Sequence, residues 1–478
     1  MSIKQKTVTS IIWTFTDTFI VKGLTFITML LIARWIGPTE FGLIGMMALF
    51  RAIGISLIDS GLSASIIRTP KTCDKDYSTV FYLNVIMSII IYSLLYMCAP
   101  YIADFYNQNV LTLLVRVYCL SFLVSALSSI QISILTKEMK FKKLTYLNAP
   151  SVIIGSGVGL LLGYYGYGVW SVIVMYLVTQ ILYTILLWIT SSWKPSFTFS
   201  TEKLKEHLNF GYKLTLSGLL DVSYKNVYNI LIGKFFPINM LGYFERAKQL
   251  NDYPALTITG VVSKVSYPLL SNIQDDKERL SKVYKQLLRV SFFIISPVML
   301  GAAALADPLF DIILGKEWIE AVPYFRILSL GAILYPIHAF NINVLKVYGR
   351  SDIFLKLEVI KKIVALICVF IGFQFGILGL VWSSVIASFF SLFINTYYSS
   401  RMINYSFLNQ MKDLFPIFLS ALFLFVCMYY IQLQMISYSN IIKLVIVSLI
   451  GAFVYGSIHY FSKSDTLQQL LSLLKIKL

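Results

Sequence analysis

Charged residues are scarce in this sequence, and their scarcity limits the class of protein. Only 13% of the 478 residues are Asp, Glu, Lys or Arg, about half of the roughly 25% that is usual in soluble globular domains. A soluble chain of this length needs more polar surface to cover its core. The composition therefore excludes an ordinary soluble enzyme or binding domain.

Histidine and cysteine are also sparse. The three histidines lie far apart in the chain, and no two of the five cysteines have CxxC spacing; they are His207, His338, His459, Cys73, Cys98, Cys119, Cys368 and Cys427. Neither a zinc site nor a disulfide framework fits these spacings. We interpret the cysteines as small membrane-buried hydrophobic residues and expect no metal or cofactor.

Long apolar runs are abundant instead, and 57% of the residues are hydrophobic. The segment 79–99 has no charge, and the uncharged segment 149–193 is long enough for two membrane spans separated by a Gly/Tyr turn. The first apolar run, from Ile11 to about Ile36, follows the basic start MSIKQK. It is too long for the core of a signal peptide, so we interpret it as the first retained span.

These runs predict an all-α polytopic membrane protein with about fourteen transmembrane helices. The predicted spans, numbered 1 to 14, are 10–33, 42–66, 79–99, 111–134, 145–165, 168–190, 209–233, 241–268, 288–306, 321–345, 353–374, 377–400, 413–432 and 440–461. Spans 7 and 8 have the weakest hydropathy. An error in the count would begin there.

The distribution of lysine and arginine over the loops predicts the orientation. One set of alternate loops holds most of these residues, and the other holds only Arg34, Lys234 and Lys316. Positively charged loops stay in the cytoplasm, so we expect both termini inside a bacterial cytoplasmic membrane. The net charge of +17 reflects this bias and contact with anionic lipids; without a soluble basic module, a nucleic-acid partner is excluded.

The loops are short, which leaves no domain outside the membrane for a catalytic site. The longest ones, around 191–208 and 269–287, fall on the predicted cytoplasmic side. The leucine spacing of the tail 464–478 predicts an amphipathic helix along the inner surface.

The two halves of the chain resemble each other. ARWIGPTEFGLI (33–44) aligns with GKFFPINMLGYF (233–244), and GYGVWS (166–171) resembles GILGLVWS (376–383). Six spans per half make a parallel repeat, which usually places a substrate site between the halves. We expect two pseudo-symmetric six-helix lobes, 1–200 and 201–405, followed by two further helices and the tail in 406–478.

Charges inside the predicted spans cluster in the first two spans of each half. A charge near the bilayer centre is costly, so it normally faces a cavity or a partner. The pattern predicts a hydrophilic cavity with cations for an anionic substrate and acids for ion coupling; a set of structural ion pairs is the alternative. Asp221 and Lys225 are i,i+4 and can pair, while Glu245, Lys248 and Asp252 share one helix face.

The segment ARWIGPTEFGLIGMMALFRAIGISLIDSGLSASIIR (33–68) resembles the start of the Wzx/WzxC-type polysaccharide exporters, in the multidrug/oligosaccharidyl-lipid/polysaccharide superfamily. The resemblance continues through YSTVFYLNV (77–85), APYIADFY (99–106) and GYGVWS, and covers about residues 1–400. The motif distinguishes the polysaccharide exporters from the drug exporters of the superfamily more clearly than it identifies a substrate.

This resemblance implies a flippase that moves a polyprenyl-diphosphate-linked oligosaccharide to the outer leaflet by alternating access, coupled to protons or sodium. It also implies polysaccharide polymerase and glycosyltransferases as partners, alongside membrane lipids. Because a diphosphate needs cations, the candidate headgroup contacts are Arg51 and Arg246, then Lys22, Lys225 and Lys248. The candidate coupling residues are Asp17, Asp59, Asp221 and Glu245, and for Asp59 a capping or gating role is equally open.

Three alternatives remain open on the sequence. A drug exporter of the same superfamily would favour an acidic, aromatic cavity, against the basic residues of spans 1, 2, 7 and 8. A peptidoglycan-precursor flippase shares the fold and the chemistry. A membrane enzyme that acts on lipid-linked glycans would need a longer outer loop than 306–320. The identity of the glycan and the choice of proton or sodium are not determined.

Overall fold

The structure is a computed structural model, and it describes residues 13, 18–59, 61–70 and 72–475. In this part of the chain all regular elements are helical. A π-helical turn, Thr18–Lys22, precedes the first α-helix, and a 3-10 helix spans Lys316–Ala321. The α-helices are α1 Gly23–Asp59, α2 Leu62–Arg68, α3 Asp74–Tyr106, α4 Val110–Tyr118, α5 Leu120–Lys137, α6 Phe141–Tyr164, α7 Trp170–Thr190, α8 Thr201–Lys225, α9 Val227–Phe235, α10 Ile238–Ser271, α11 Lys277–Ala304, α12 Ala306–Ile313, α13 Val322–Ala332, α14 Tyr335–Val347, α15 Ser351–Phe373, α16 Gly376–Ile403, α17 Phe407–Gln434, α18 Asn440–Phe461 and α19 Asp465–Lys475.

The prediction of an all-α polytopic membrane protein is confirmed. Ten helical segments of the described residues are long and apolar enough to cross a membrane, and one of them, Ile20–Arg68, contains predicted spans 1 and 2. Span 7 coincides with α8 and α9, span 8 with α10, and span 11 with α15. These helices fall short of the same criterion. Both α10 and α15 contain several charged residues, and the count of fourteen stays a prediction.

The chain forms two compact units, Met1–Gly242 and Tyr243–Leu478. This boundary differs from the predicted repeat boundary after residue 200. Helices α8 and α9, which the repeat places at the start of the second half, contact α1 and α3 of the first unit. The two six-helix lobes with these boundaries stay a prediction.

Helix α1 contains a sharp bend at the GPTEFG motif. Gly37 has φ 75° and ψ 174°, and Pro38 follows it inside the helix. Only glycine adopts this backbone conformation without strain, and proline lacks the N–H that would continue the helical ladder. The bend separates predicted spans 1 and 2.

The two aligned motifs cross each other at two glycines. A Cβ atom on Gly42 would lie 2.2 Å from the carbonyl oxygen of Ile238, and one on Gly242 would lie 1.9 Å from that of Pro38. Gly42 and Gly242 are 200 positions apart, and so are Pro38 and Ile238. The two contacts are therefore equivalent under the offset of the repeat. This reciprocal packing is what two copies of one motif produce about a pseudo-twofold axis, so it supports the proposed repeat.

Glu40 connects the first motif with the GYGVWS turn. Its Oε2 accepts a hydrogen bond of 2.8 Å from the backbone N–H of Val169, the residue before α7. Gly168, with φ 57°, brings this turn so close that a Cβ there would lie 2.9 Å from Glu40 Oε2. The carboxylate thus satisfies an N–H at a helix start, where the helix dipole favours negative charge.

We expect Glu40→Ala to lower the free energy of unfolding by about 1.5–3 kcal/mol, because a hydrogen bond to a charged group is lost. Glu40→Gln keeps an acceptor at this position and should lose less. Thermal unfolding of the detergent-purified variants measures both effects. Equal midpoints for Glu40→Ala and the wild type would contradict the structural role of this carboxylate.

The second unit has an extended apolar core built on α11. Tyr284, Phe292, Met299, Phe340 and Leu424 are among its buried members. One polar cluster is enclosed in it, in which Tyr284 Oη donates to Asn341 Oδ1 at 3.0 Å. Such a satisfied polar pair specifies how the helices face each other without leaving an unpaired buried group.

The C-terminal helices α17, α18 and α19 belong to this second unit. Gln432 Nε2 donates to Asp307 Oδ2 at 3.2 Å, and Asn440 Nδ2 donates to Asp311 Oδ2 at 2.5 Å. Helix α19 contacts α11, and Leu467 packs against the core. The tail is therefore helical as predicted, while its position on the inner membrane surface stays a prediction.

Candidate functional site

Arg51 is an exposed arginine in the second segment of α1. Its Cζ lies 5.2 Å from the ring centroid of Tyr176 in α7, which is within cation–π distance. The Tyr176 ring meets that of Tyr118 edge-on at 6.3 Å. The Tyr176 ring thus supports the guanidinium from one side.

Lys22, just before α1, and Arg51, in its second segment, lie at similar distances from the bend. With a rise of 1.5 Å per residue, each is about 20 Å from the Gly37–Pro38 bend, which is more than half of a hydrocarbon core of about 30 Å. Lys22 ends the π-helical turn and is exposed. Two exposed cations at this depth are costly against lipid, so a hydrated surface is the favourable environment for them.

Asp221 and Lys225 form the ion pair that their spacing predicts. Asp221 Oδ2 lies 2.7 Å from Lys225 Nζ, and the Lys225 side chain is 68% exposed. An exposed i,i+4 pair contributes little to stability. Lys225 can exchange the partner on its own helix for an external anion at small cost.

The charged residues of α10 lie in different surroundings. Arg246 is only 2% exposed, and its Nη1 donates to Gln249 Oε1 at 2.6 Å. Lys248 Nζ lies 5.9 Å from the ring centroid of Phe244. Asp252, on the Glu245 face of the helix, accepts a hydrogen bond of 2.8 Å from Tyr335 Oη. Arg246 is therefore enclosed in this conformation, whereas Glu245 and Lys248 are half-buried.

Two candidate coupling residues cannot be placed. Asp17 lies outside the described residues. Asp59 is the last residue of α1, and its side chain also lies outside the described part. Their roles remain predictions.

Sequence reasoning missed a polar cluster that we call the Asp76 knot: Ser65, Cys73, Asp76, Lys203 and His207. Ser65, Asp76 and His207 are buried, whereas Cys73 is exposed, so the prediction of a membrane-buried cysteine is wrong at this position. His207 is 0% exposed, and its Nε2 lies 3.3 Å from Asp76 Oδ1 while its Nδ1 lies 2.8 Å from Ser65 Oγ. Because a carboxylate only accepts, Nε2 carries a proton. Asp76 Oδ2 also accepts from the backbone N–H and the thiol of Cys73 at 2.8 and 3.1 Å.

Lys203 completes the Asp76 knot at its outer edge. Its Nζ lies 2.9 Å from Glu206 Oε2 and 3.3 Å from Asp76 Oδ1, and these hydrogen bonds raise the pKa of the Lys203 ammonium. The contacts of the Asp76 knot connect the start of α8 to α2 and α3. Asp74, Asp76, Lys203 and His207 are polar residues at predicted span edges, and that was the only signal in the sequence.

Comparison with known proteins identifies the family. The sequence profile described as "Polysaccharide biosynthesis protein" matches residues 31–323, which is more than half of the chain. The chain belongs to this polysaccharide biosynthesis protein family. The family indicated by the motifs of residues 33–68 is thereby confirmed, and Gly37, Glu40 and Gly42 of those motifs form the bend, the tie to α7 and the crossing described above.

Two curated relatives agree with this family, and one solved structure has a similar fold. The teichuronic acid biosynthesis protein TuaB of Bacillus subtilis (strain 168) is 24% identical over 360 residues, covering 74% of this chain and 73% of TuaB. The lipopolysaccharide biosynthesis protein WzxC of Escherichia coli (strain K12) is 24% identical over 401 residues, covering 82% of each chain. The lipid II flippase MurJ, in an inward closed conformation, has a similar fold, with a TM-score of 0.75, 18% identity and coverage of 95% of this chain and 99% of MurJ.

Proposed function

We propose that this protein flips polyprenyl-diphosphate-linked oligosaccharide repeat units from the inner to the outer leaflet of a bacterial cytoplasmic membrane. The repeat units would serve the synthesis of a surface polysaccharide such as O-antigen, capsule or exopolysaccharide. The family and the names of TuaB and WzxC support the polysaccharide pathway. The fold, which it shares with a lipid flippase, supports a transporter and not an enzyme.

Arg51 is the observation that carries this proposal. It is an exposed cation deep within a membrane-spanning helix, held by Tyr176. A guanidinium binds a phosphate group through two parallel hydrogen bonds. Within a water-filled cavity bounded by apolar helices, this attraction is stronger than in bulk water.

The other candidate residues take roles that match their surroundings. Lys22 and Lys225 are exposed, so they would attract the diphosphate as it enters. Arg246, with Lys248, would contact it in a conformation that opens the surroundings of α10. Asp221, Glu245, Asp17 and Asp59 would bind and release the coupling proton or sodium ion during alternating access, with both chain termini in the cytoplasm.

We expect Arg51→Ala to slow the translocation of a fluorescent polyprenyl-diphosphate-linked sugar by about 10- to 100-fold, because a charge-assisted contact contributes about 1.5–3 kcal/mol. The assay uses proteoliposomes and an impermeant quencher that reports the label in the outer leaflet. Arg51→Lys keeps the charge without the bidentate geometry and should be intermediate. The matched control is Arg279→Ala, an exposed arginine at the start of α11.

Arg246→Ala is measured in the same assay, together with its yield of monodisperse protein, because its side chain is buried. Full translocation by both Arg51→Ala and Arg246→Ala would overturn the cationic-site assignment. A panel of lipids tests the alternatives: preference for lipid II would indicate a peptidoglycan-precursor flippase, and transport of cationic drugs a multidrug exporter. A new chemical product would indicate an enzyme. Proton and sodium gradients, applied separately, identify the coupling ion.

A further inference from the structure

An apolar groove of about 310 Å³ opens on the first unit, between α1, α3 and α9. Four of the residues that line it are aromatic: Phe50, Tyr101, Phe105 and Tyr106. Its volume is at the lower end of the range of about 300–1,000 Å³ that is usual for ligand pockets. This groove is separate from the exposed face of Arg51, which lies against Tyr176 of α7.

The inner wall of the groove is closely packed. Tyr106 is 4% exposed, and its ring meets those of Phe50 and Phe105 edge-on at 6.5 and 4.8 Å. At Gly233 of α9, an added Cβ would lie 2.9 Å from the Tyr106 ring. The close approach of α9 closes the floor, so the groove is a built feature of the packing and not a gap between loose side chains.

The ammonium group of Lys234 lies at the rim of the groove. Lys234 Nζ donates to the carbonyl oxygen of Phe105 at 2.5 Å and lies 4.7 Å from the centroid of its ring. An ammonium has three donors, so two further donors can face an anion. The positive-inside rule places Lys234 on the outer side of the membrane. The groove extends along α3 from Tyr106 to Cys98, which is about 12 Å into the membrane.

We propose that this groove binds the first isoprene units of the lipid-linked substrate in the outer leaflet, while Lys234 contacts its diphosphate. This inference rests on the proposed function and adds an exit site for the lipid. Apolar contact alone would not select a prenyl chain, because bilayer acyl chains are equally apolar. Selectivity comes from the cation at the rim, since a diphosphate carries more negative charge than a phospholipid phosphodiester.

The test is photo-crosslinking of the full chain in nanodiscs of phosphatidylethanolamine and phosphatidylglycerol. The photoreactive residue p-benzoylphenylalanine replaces Tyr101 in the groove, or, as a matched control, the exposed Phe453 of α18. Radiolabelled undecaprenyl diphosphate and phosphatidylglycerol are supplied at equal mole fraction in separate experiments. We expect the groove position to capture the prenyl lipid in excess and the control position to capture both equally.

Two substitutions examine the rim and the floor separately. Lys234→Gln should lower capture of undecaprenyl diphosphate by about threefold, as expected for a partly exposed charge pair, without changing capture of phosphatidylglycerol. Cys98→Phe should fill the groove and abolish the excess, whereas Cys427→Phe on α17, which also replaces a half-buried cysteine, should not. Size-exclusion profiles identify variants that fail to fold.

Equal capture of both lipids at position 101 would overturn the groove proposal, and so would unchanged capture in Lys234→Gln. Translocation in proteoliposomes is scored independently. Translocation without selective capture refutes the groove and leaves the proposed function intact. Selective capture without translocation refutes the proposed function and retains a prenyl-diphosphate site.

Discussion

Gly242→Ala is expected to abolish translocation or to prevent folding, although it adds a single methyl group. The new Cβ would lie 1.9 Å from the carbonyl oxygen of Pro38, and real Cβ contacts are essentially never under 3.0 Å. The opposing atom belongs to backbone beside a bend, so the two segments must separate by about 1 Å. Overpacking of this kind typically costs about 1–3 kcal/mol, and here it displaces the bend of a membrane-spanning helix.

The proposed repeat predicts an equivalent effect at Gly42, which the same experiment can measure. Gly42→Ala should have a comparable effect, because its Cβ would lie 2.2 Å from the carbonyl oxygen of Ile238. The double variant should be little worse than either single one, since both disturb one crossing. Translocation rate and the size-exclusion profile are measured for all three.

Gly157 provides the control within the same unit. A Cβ on this α6 glycine would meet no atom within 4 Å, so Gly157→Ala should fold and translocate normally. Wild-type behaviour of Gly242→Ala would show that the motifs do not cross as described.

Asp76→Ala is the other substitution with a large expected effect. It removes the acceptor shared by Cys73, Lys203 and His207, and Asp76 itself is 1% exposed. Removing one partner of a buried charge pair typically costs about 3–5 kcal/mol. We therefore expect the apparent melting temperature to fall by about 3–5 °C, because the melting entropy of a chain of this length is about 1 kcal/mol per °C. It is measured as the loss of monodisperse protein after heating.

An exposed ion pair of the same unit serves as the control. Glu138 and Lys140 lie 2.7 Å apart, but their side chains are 47% and 58% exposed. Glu138→Ala should change stability by less than about 1 kcal/mol. Asp76→Asn, which keeps the shape and one acceptor, should lie between. If Asp76→Ala and Glu138→Ala had the same apparent melting temperature, the Asp76 knot would have no structural role.

The positions of the membrane helices were largely predictable, although several helices extend five or more residues beyond the predicted spans. A backbone in lipid must satisfy its own hydrogen bonds, so each long apolar run becomes a helix. The Gly/Tyr turn after α6, the pair of Asp221 and Lys225, and the helical tail all follow from local spacing. Spans 7 and 8 were the least certain in the sequence. Their helices fall short of the length and composition criterion for a membrane span, and so does the helix of span 11.

The structure separates exposed from buried candidate residues, which their spacing in the sequence could not do. Arg51 and Arg246 have the same side chain, yet one is exposed beside Tyr176 and the other is enclosed beside Gln249. Exposure depends on which neighbouring helices cover a residue, and helical periodicity contains no information about those neighbours.

The sequence by itself determined the membrane class, the helical elements and the family, because hydropathy and motifs are properties of contiguous residues. The tertiary structure alone decided which distant groups meet: Glu40 with Val169, Asp76 with His207, and Gly42 with Ile238. These pairs are 129, 131 and 196 positions apart. Contacts at such separations depend on how the helices pack, and packing is a property of the whole set of surfaces and not of any one segment.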